Sequence, residues 1–154
     1  MLQYIIPVAS IFISFLLGCW TKSINMKQEA LKLRYEQFYA PYLQLLTKAI
    51  PFRYKIEELS FEAQSRFCDL ILNNCHLLGP NSAESISEYY YAFIKWIPFD
   101  DKENPLSTNE DYSRCFHTIN KSILRESSKL SKKLKLPDLG QELYAIFYSQ
   151  QKRT

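Results

Sequence analysis

His76 and His117 are the only side chains in this 154-residue chain that can titrate near neutrality without a large shift. Either could act as an acid or a base. Cys68, Cys75 and Cys115 join them to make, on paper, a four-ligand zinc site. The spacing opposes it, because Cys68 and Cys75 lie seven residues apart on an expected helix, whereas zinc sites pair their thiolates about two to four residues apart in a turn. The cysteines are read instead as small apolar core residues, and neither metal nor cofactor is expected. Ser113, Ser122, Ser127 and Ser128 lie in no nucleophile elbow. Arg114 stands too close to His117, and Arg66 too far from His76, for the Arg and His pair of helical HEPN-type ribonucleases. With Gly at 3, phosphate-cradling loops are nearly excluded. Asp100, Asp101 and Glu103 cluster in an expected loop, where solvated carboxylates are the ordinary outcome. No catalytic residue is assigned.

Binding patterns are clearer than catalytic ones. Residues 51–111 hold five basic and eleven acidic side chains, a balance of −6, whereas residues 112–154 hold nine basic and three acidic, a balance of +6. Lys121, Arg125, Lys129, Lys132, Lys133 and Lys135 face Glu126 alone over fifteen residues. This basic stretch, with Lys22 and Lys27, is a candidate contact for an anionic leaflet, where each base near the surface gains about 1 kcal/mol. Nucleic acid is the other polyanion to weigh, and a solvated helix face is the plain alternative. The aromatic run Tyr35, Phe38, Tyr39 and Tyr42 is a candidate partner-binding face, although such clusters are more often core.

The elements that must position these residues are helices. Apolar residues from Met26 to Ala49 recur near helical spacing, with a kink or a fresh start expected at Pro41, which lacks the N–H that would bond the Gln37 carbonyl. Phe52–Leu59 can form a short helix. Ser60 is placed to cap a helix over Phe61–Leu78, which Gly79-Pro80 stops. Asn81 and Glu84 have the form of a capping box opening Ser82–Ile97, with Ile86, Tyr90, Phe93, Ile94 and Ile97 as its buried stripe. Phe99–Ser107 is a loop. Thr108 and Asp111 open a long helix to about Leu136, buried through Tyr112, Phe116, Ile119, Ile123, Leu130 and Leu134, and Asp138 to about Gln151 forms the last one, with Leu139, Leu143, Ile146 and Phe147 inward. No segment alternates with period two, so the body is all-α, a bundle of about four to five helices, without internal repeat or second domain.

Ahead of the body lies a stretch with no charge. Leu2–Trp20 spans about 28 Å as a helix, close to the roughly 30 Å of a bilayer core. A transmembrane anchor over residues 1–21, built on Leu2, Tyr4, Ile5, Phe12, Phe15, Leu16 and Trp20, is therefore expected, with Tyr4 and Trp20 near the headgroups. Leu16-Leu17-Gly18-Cys19 has the form of a lipobox, but no basic segment precedes it and no flexible tether follows. Lys22, Lys27, Lys32 and Arg34 lie just past the stretch, which places residues 22–154 on the cytoplasmic side, and the odd number of cysteines beyond Trp20 suits a reducing compartment. A holin-like pore has less support, since Gly18 alone makes no glycine seam.

This layout, with an uncharged first helix, then bases, then Lys32-Leu33-Arg34-Tyr35-Glu36-Gln37-Phe38-Tyr39-Ala40-Pro41-Tyr42-Leu43 and a small helical body, resembles the small single-pass membrane proteins of prophages in low-GC Gram-positive bacteria. Some of that group are superinfection-exclusion proteins, which stop a related phage from delivering its DNA. The resemblance implies a membrane-held interaction protein that occupies a partner, such as a DNA-entry channel or another membrane protein. It brings no functional residue with it. The competing expectation is a membrane-tethered nuclease or nucleic-acid-binding protein that uses the basic helix 121–135, with His76 or His117 as acid or base.

Overall fold

The computed structural model describes residues 2–49, 56, 59–97 and 109–148, with side chains for 14–48, 56, 59–97 and 110–148. Among the described residues seven α-helices follow in order: α1 Leu2–Arg34, α2 Ala40–Ala49, α3 Phe61–Asn73, α4 Pro80–Glu84, α5 Ile86–Trp96, α6 Asn109–Leu134 and α7 Leu139–Tyr148. No strand occurs among the described residues. The expected all-helical class is the one adopted. The expected membrane span is not met there, because among the described residues no helix is long and apolar enough to cross a membrane. The described side chains of α1 begin at Ser14, well inside the charge-free stretch.

The chain divides into two compact units, Met1–Leu33 and Arg34–Thr154. This division by packing falls later than the step in charge after Thr21, because α1 stays helical well beyond Lys22. Within the first unit, Thr21 Oγ1 donates to the Leu17 carbonyl at 2.8 Å, which satisfies its hydroxyl inside the helix. No loop follows Cys19, in keeping with the missing tether.

The second unit opens with a π-helical turn, Tyr35–Tyr39, closed by the Ala40 N–H bonding the Tyr35 carbonyl. Pro41 explains it. A proline ring clashes with the carbonyl four residues back and gives it no hydrogen, so the backbone widens one turn ahead of the ring instead of kinking or restarting. The wide turn leaves Phe38 and Tyr39 fully buried beside Tyr42 and Leu46 of α2.

α6 is the central element, packing against α7, α5, α4 and the π turn. Its Tyr112, Phe116, Ile119, Ile123 and Leu130 are buried as the spacing requires, whereas Leu134 at its end is half-buried. Rings fill the core: Phe67 of α3 meets Tyr42 at 5.7 Å and Phe116 at 5.6 Å edge to face, while Tyr112 stacks on Trp96 at 5.1 Å. Each fully buried ring contributes about 1.5–3 kcal/mol relative to exposure.

Several boundaries and faces differ from expectation. Ser60 does cap α3, accepting from the Ala63 N–H at 3.3 Å. α3 ends at Asn73, however, because the Asn74 side chain donates to the Leu70 carbonyl at 2.9 Å, competing for a bond that continued helix needs; Cys75–Leu77 forms a 3-10 turn instead. The capping box at Asn81 and Glu84 is not made. Pro80 takes the first turn of α4 with Gly79 before it, and Ser85 separates α4 from α5. α5 buries Phe93 as expected, together with Tyr89 and Ala92, while Tyr90 is 43% exposed and Ile86, Ile94 and Ile97 are half-buried. On α7, Leu139 and Ile146 are exposed and Gly140 is the buried residue. The short helix Phe52–Leu59, apart from buried Ile56 and half-buried Leu59, the loop Phe99–Ser107, the Thr108 cap and the chain past Tyr148 lie outside the described residues.

α6 stops in a Schellman arrangement: the Lys135 N–H bonds the Lys132 carbonyl at 3.3 Å and the Leu136 N–H bonds the Ser131 carbonyl at 2.9 Å. Lys135 sits at φ 57, in the left-handed region usually given to glycine. Asp138 then caps α7, accepting from the Gln141 N–H at 3.0 Å and from the Ser128 hydroxyl at 2.8 Å. Where α7 crosses α6 a Cβ on Gly140 would lie 2.8 Å from the Leu124 carbonyl oxygen and 2.9 Å from the Ser128 nitrogen, and would strike the Ser127 hydroxyl. Only glycine fits that crossing.

Candidate functional site

Among the described residues, Glu126, the lone acid of the basic stretch, is only 8% exposed and accepts four hydrogen bonds. Its Oε1 accepts from the Ser82 N–H at 3.1 Å, and its Oε2 accepts from the Gly79 N–H at 3.0 Å, the Ser82 hydroxyl at 2.7 Å and the Tyr39 hydroxyl at 2.9 Å. The carboxylate thus supplies from α6 the acceptors that an N-terminal capping side chain would give α4. A Cβ on Gly79 would lie 2.8 Å from Oε2, so the backbone reaches the carboxylate only because glycine is there. Arg34 Nε donates to the Leu77 carbonyl at 2.8 Å, tying the start of the π turn to the same corner. Burial, then the adjacent Glu126 charge, lifts the Tyr39 phenol well above its ordinary value, so it remains a donor. This node is a structural joint, closed to substrate.

A second polar series runs from core toward surface. Tyr42 donates to Asn120 Oδ1 at 2.9 Å, Asn120 Nδ2 donates to the Tyr148 oxygen at 3.0 Å, and Tyr148 donates to the His117 carbonyl at 3.2 Å. The half-buried His117 ring meets Tyr148 edge to face at 6.0 Å. Burial pushes the Tyr148 phenol up to about 12 and raises Tyr42 as well, so neither exchanges protons near neutrality. His76 stands exposed on the 3-10 turn Cys75–Leu77.

The two buried cysteines are held away from the reactive thiolate form. Burial, then the Asp69 charge, pushes the Cys68 thiol up to about 12, and burial with Glu88 raises Cys115; a reactive thiol needs the opposite shift. Cys19 and Cys75 are exposed. Among the described residues, no group of three or more His, Cys, Asp or Glu side chains could hold a metal ion.

Tyr35, Phe38, Tyr39 and Tyr42, weighed above as a partner-binding face, are all buried within the second unit, 8% exposed at most, and so form core instead of an open surface. α6 packs on the π turn, with Glu126 meeting Tyr39, while Tyr42 of α2 lies against Phe67 of α3 and Asn120 of α6.

Among the described residues, three surfaces bear on binding. On α6, Lys121, Arg125, Lys129, Lys132 and Lys133 fall within about 120° of the helix circumference at 3.6 residues per turn. Arg125, Lys129, Lys132 and Lys133 are exposed and Lys121 half-buried. α7 steadies part of this stripe: Lys121 lies 5.8 Å from the Tyr148 ring, Arg125 lies 5.2 Å from the Tyr144 ring, and Lys132 Nζ is 3.4 Å from Asp138. Lys135, exposed, extends it beyond the helix end. Between α2 with its preceding turn and α7 runs an apolar groove of about 390 Å³, floored by Leu43, Leu139, Leu143 and Ile146, with Lys48 and Glu142 among its lining.

The third open surface is α1 itself. Phe15, Leu16, Leu17 and Trp20 expose 66%, 51%, 52% and 66% of their surface. Three of them are consecutive, about 100° apart around the helix, so apolar side chains point to several sides at once. Lys22 and Lys27 on the same helix are exposed. Leu2, Tyr4, Ile5 and Phe12 belong to α1, but their side chains lie outside the described ones. Compared with known protein families, characterised proteins and solved structures, the chain matches none.

Proposed function

We propose that the chain is a membrane-anchored helical interaction protein, held by α1 over about Leu2–Trp20, whose body acts by binding and not by turnover. The observation that carries this reading is the exposure of Phe15, Leu16, Leu17 and Trp20 on different sides of one helix. A helix apolar all round belongs in a core or in lipid, and this one has no core of its own to enter. In the sequence, the charge-free Leu2–Trp20 and the lysines that follow it support an anchor with the body on the cytoplasmic side. In its finer form the reading is phage superinfection exclusion, supported by the prophage-like layout: the body occupies a DNA-entry channel or another membrane protein.

Alkaline carbonate extraction of membranes from expressing cells tests the anchor, which requires the chain to stay in the pellet; release into the supernatant overturns it. Orientation is read by labelling Cys75, the exposed cysteine of the body, with a membrane-impermeant maleimide. Labelling only after lysis agrees with a cytoplasmic body, and labelling of intact cells reverses it. For exclusion, phage adsorption and DNA entry are measured separately; unaltered entry of every tested phage removes that form.

The basic face of α6 favours a second reading, contact with a polyanion. Nucleic-acid binding would weaken steeply with salt, in proportion to the phosphates neutralised. The nuclease version needs His76 or His117, and full activity in a His76→Ala, His117→Ala chain would end it.

A further inference from the structure

The first unit holds a pattern that its role as an anchor does not use. From Leu16 onward the uncharged residues Leu16, Cys19, Ser23, Met26, Ala30 and Leu33 follow one another at spacings of three, four, three, four and three. The same alternation runs back through Phe12, Ala9 and Ile5. This is a 3.5-residue repeat sustained over about four heptads, the pattern of a supercoiled seam, with Ser23 and Ala30 at a positions and Cys19, Met26 and Leu33 at d positions. Charges avoid it: Lys22 and Glu29 take g, Lys27 takes e and Lys32 takes c.

Two structural facts bear on the same seam. Met26 is 60% exposed and Leu33 50%, in a unit that has no second helix to cover them. A shallow depression along α1 is lined by Cys19, Lys22, Ser23, Met26, Lys27 and Ala30, which are a, d, e and g positions only. Small residues at a, next to larger ones at d, leave the holes that a facing helix fills with its own knobs.

We propose that α1 pairs in parallel and in register with α1 of a second copy of this chain. A second copy is favoured over an unrelated helix because the seam complements itself: in a parallel pair a meets a and d meets d, so Ser23 and Ala30 draw the helices close while Met26 and Leu33 fill the layers between. The parallel sense rests on the anchor reading, since copies inserted the same way in one bilayer run the same way. One feature opposes the pair. Lys22 at g faces Lys27 at e of the second copy, a like-charge contact that limits its strength.

Oxidative cross-linking of the full chain in its membranes tests the pairing. In a Cys19→Ser, Cys75→Ser background, single cysteines are placed along residues 19–33 and oxidised with copper-phenanthroline, two facing thiols giving up two protons and two electrons to the oxidant as the disulfide forms. Dimer yield is expected to peak at 19, 26 and 33, at least about tenfold above Ile24→Cys and Gln28→Cys, which a heptad seam turns outward. Adding Lys27→Glu is expected to raise the yield by replacing repulsion with attraction. Uniform yield, a peak on the Ile24 face, or no dimer at any position overturns the proposal. Carbonate extraction of the same membranes separates the two ideas: release with cross-linking intact fails the anchor and leaves the pair, and retention without periodic cross-linking does the reverse.

Discussion

Phe15 and Phe67 are the same residue in the same kind of secondary structure, yet one is 66% exposed on α1 and the other fully buried between Tyr42 and Phe116. The contrast extends to the units around them. Among the described residues of the second unit, Tyr42, Phe67, Tyr89, Phe93, Tyr112 and Phe116 pack ring against ring, and Arg125, Lys129, Lys132 and Lys133 stand on the exposed side of α6. In the first, apolar side chains stand out with nothing of their own unit over them. Apolar content by itself therefore says little; what covers each residue decides whether it stabilises a fold or equips a surface for lipid or for another chain.

The most direct way to break this contrast is to truncate both rings. Phe67→Ala is expected to cost the body about 3–5 kcal/mol in denaturant unfolding, and Phe15→Ala under about 0.5 kcal/mol. Equal losses would mean that α1 is part of the body's core. Glu126→Ala comes next, at about 3 kcal/mol, because it leaves the Gly79 and Ser82 N–H groups and two hydroxyls without their buried acceptor. A loss under about 1 kcal/mol would show that water replaces the carboxylate there. Gly140→Ala is expected to cost about 1–3 kcal/mol by forcing α7 off α6, whereas Gly18→Ala, whose Cβ meets nothing within 4 Å, should leave body stability unchanged. The smallest effect is with pH. Burial works against the Asp138 charge, but the Ser128 hydroxyl, the Gln141 N–H and Lys132 outweigh it and hold the carboxyl below the usual range. Its contribution is therefore full above the unfolded value of about 3.9 and lost as pH falls through the lower folded value. Asp138→Asn, which keeps a capping side chain, should flatten that acid limb in melts from pH 5 downward.

The all-helical class, the Ser60 cap and the buried stripe of α6 were legible in the sequence because each depends on residues within a few positions of one another. The buried tyrosine of α5 was not: Tyr89, Tyr90 and Tyr91 are chemically alike, and only Tyr112 and Phe116 on another helix select the first. The capping box failed for a similar reason, since the acceptor used by α4 comes from α6 and is invisible locally. Glu126 did carry a signal, as the single acid among six bases, but nothing nearby in sequence says that its donors are Tyr39, Gly79 and Ser82. The inward face expected for α7 counted leucines and isoleucine, while the crossing is made where Gly140 lets two backbones approach. Of the open surfaces, the basic stretch was legible as charge alone; the groove beside α7 required two helices far apart in the chain.

The Glu126 joint also bears on the order of folding. Its hydrogen bonds close intervals of 87, 47 and 44 residues, long separations for a helical unit, whose rapid steps come from near neighbours. Closures of that length are expected late in folding, after the local turns of α6 have formed. Glu126→Ala should accordingly speed unfolding while leaving the refolding rate nearly unchanged, a φ value near 0 in stopped-flow kinetics. The same carboxylate then acts as a latch: it contributes little to how quickly the body assembles and much to how long it stays assembled.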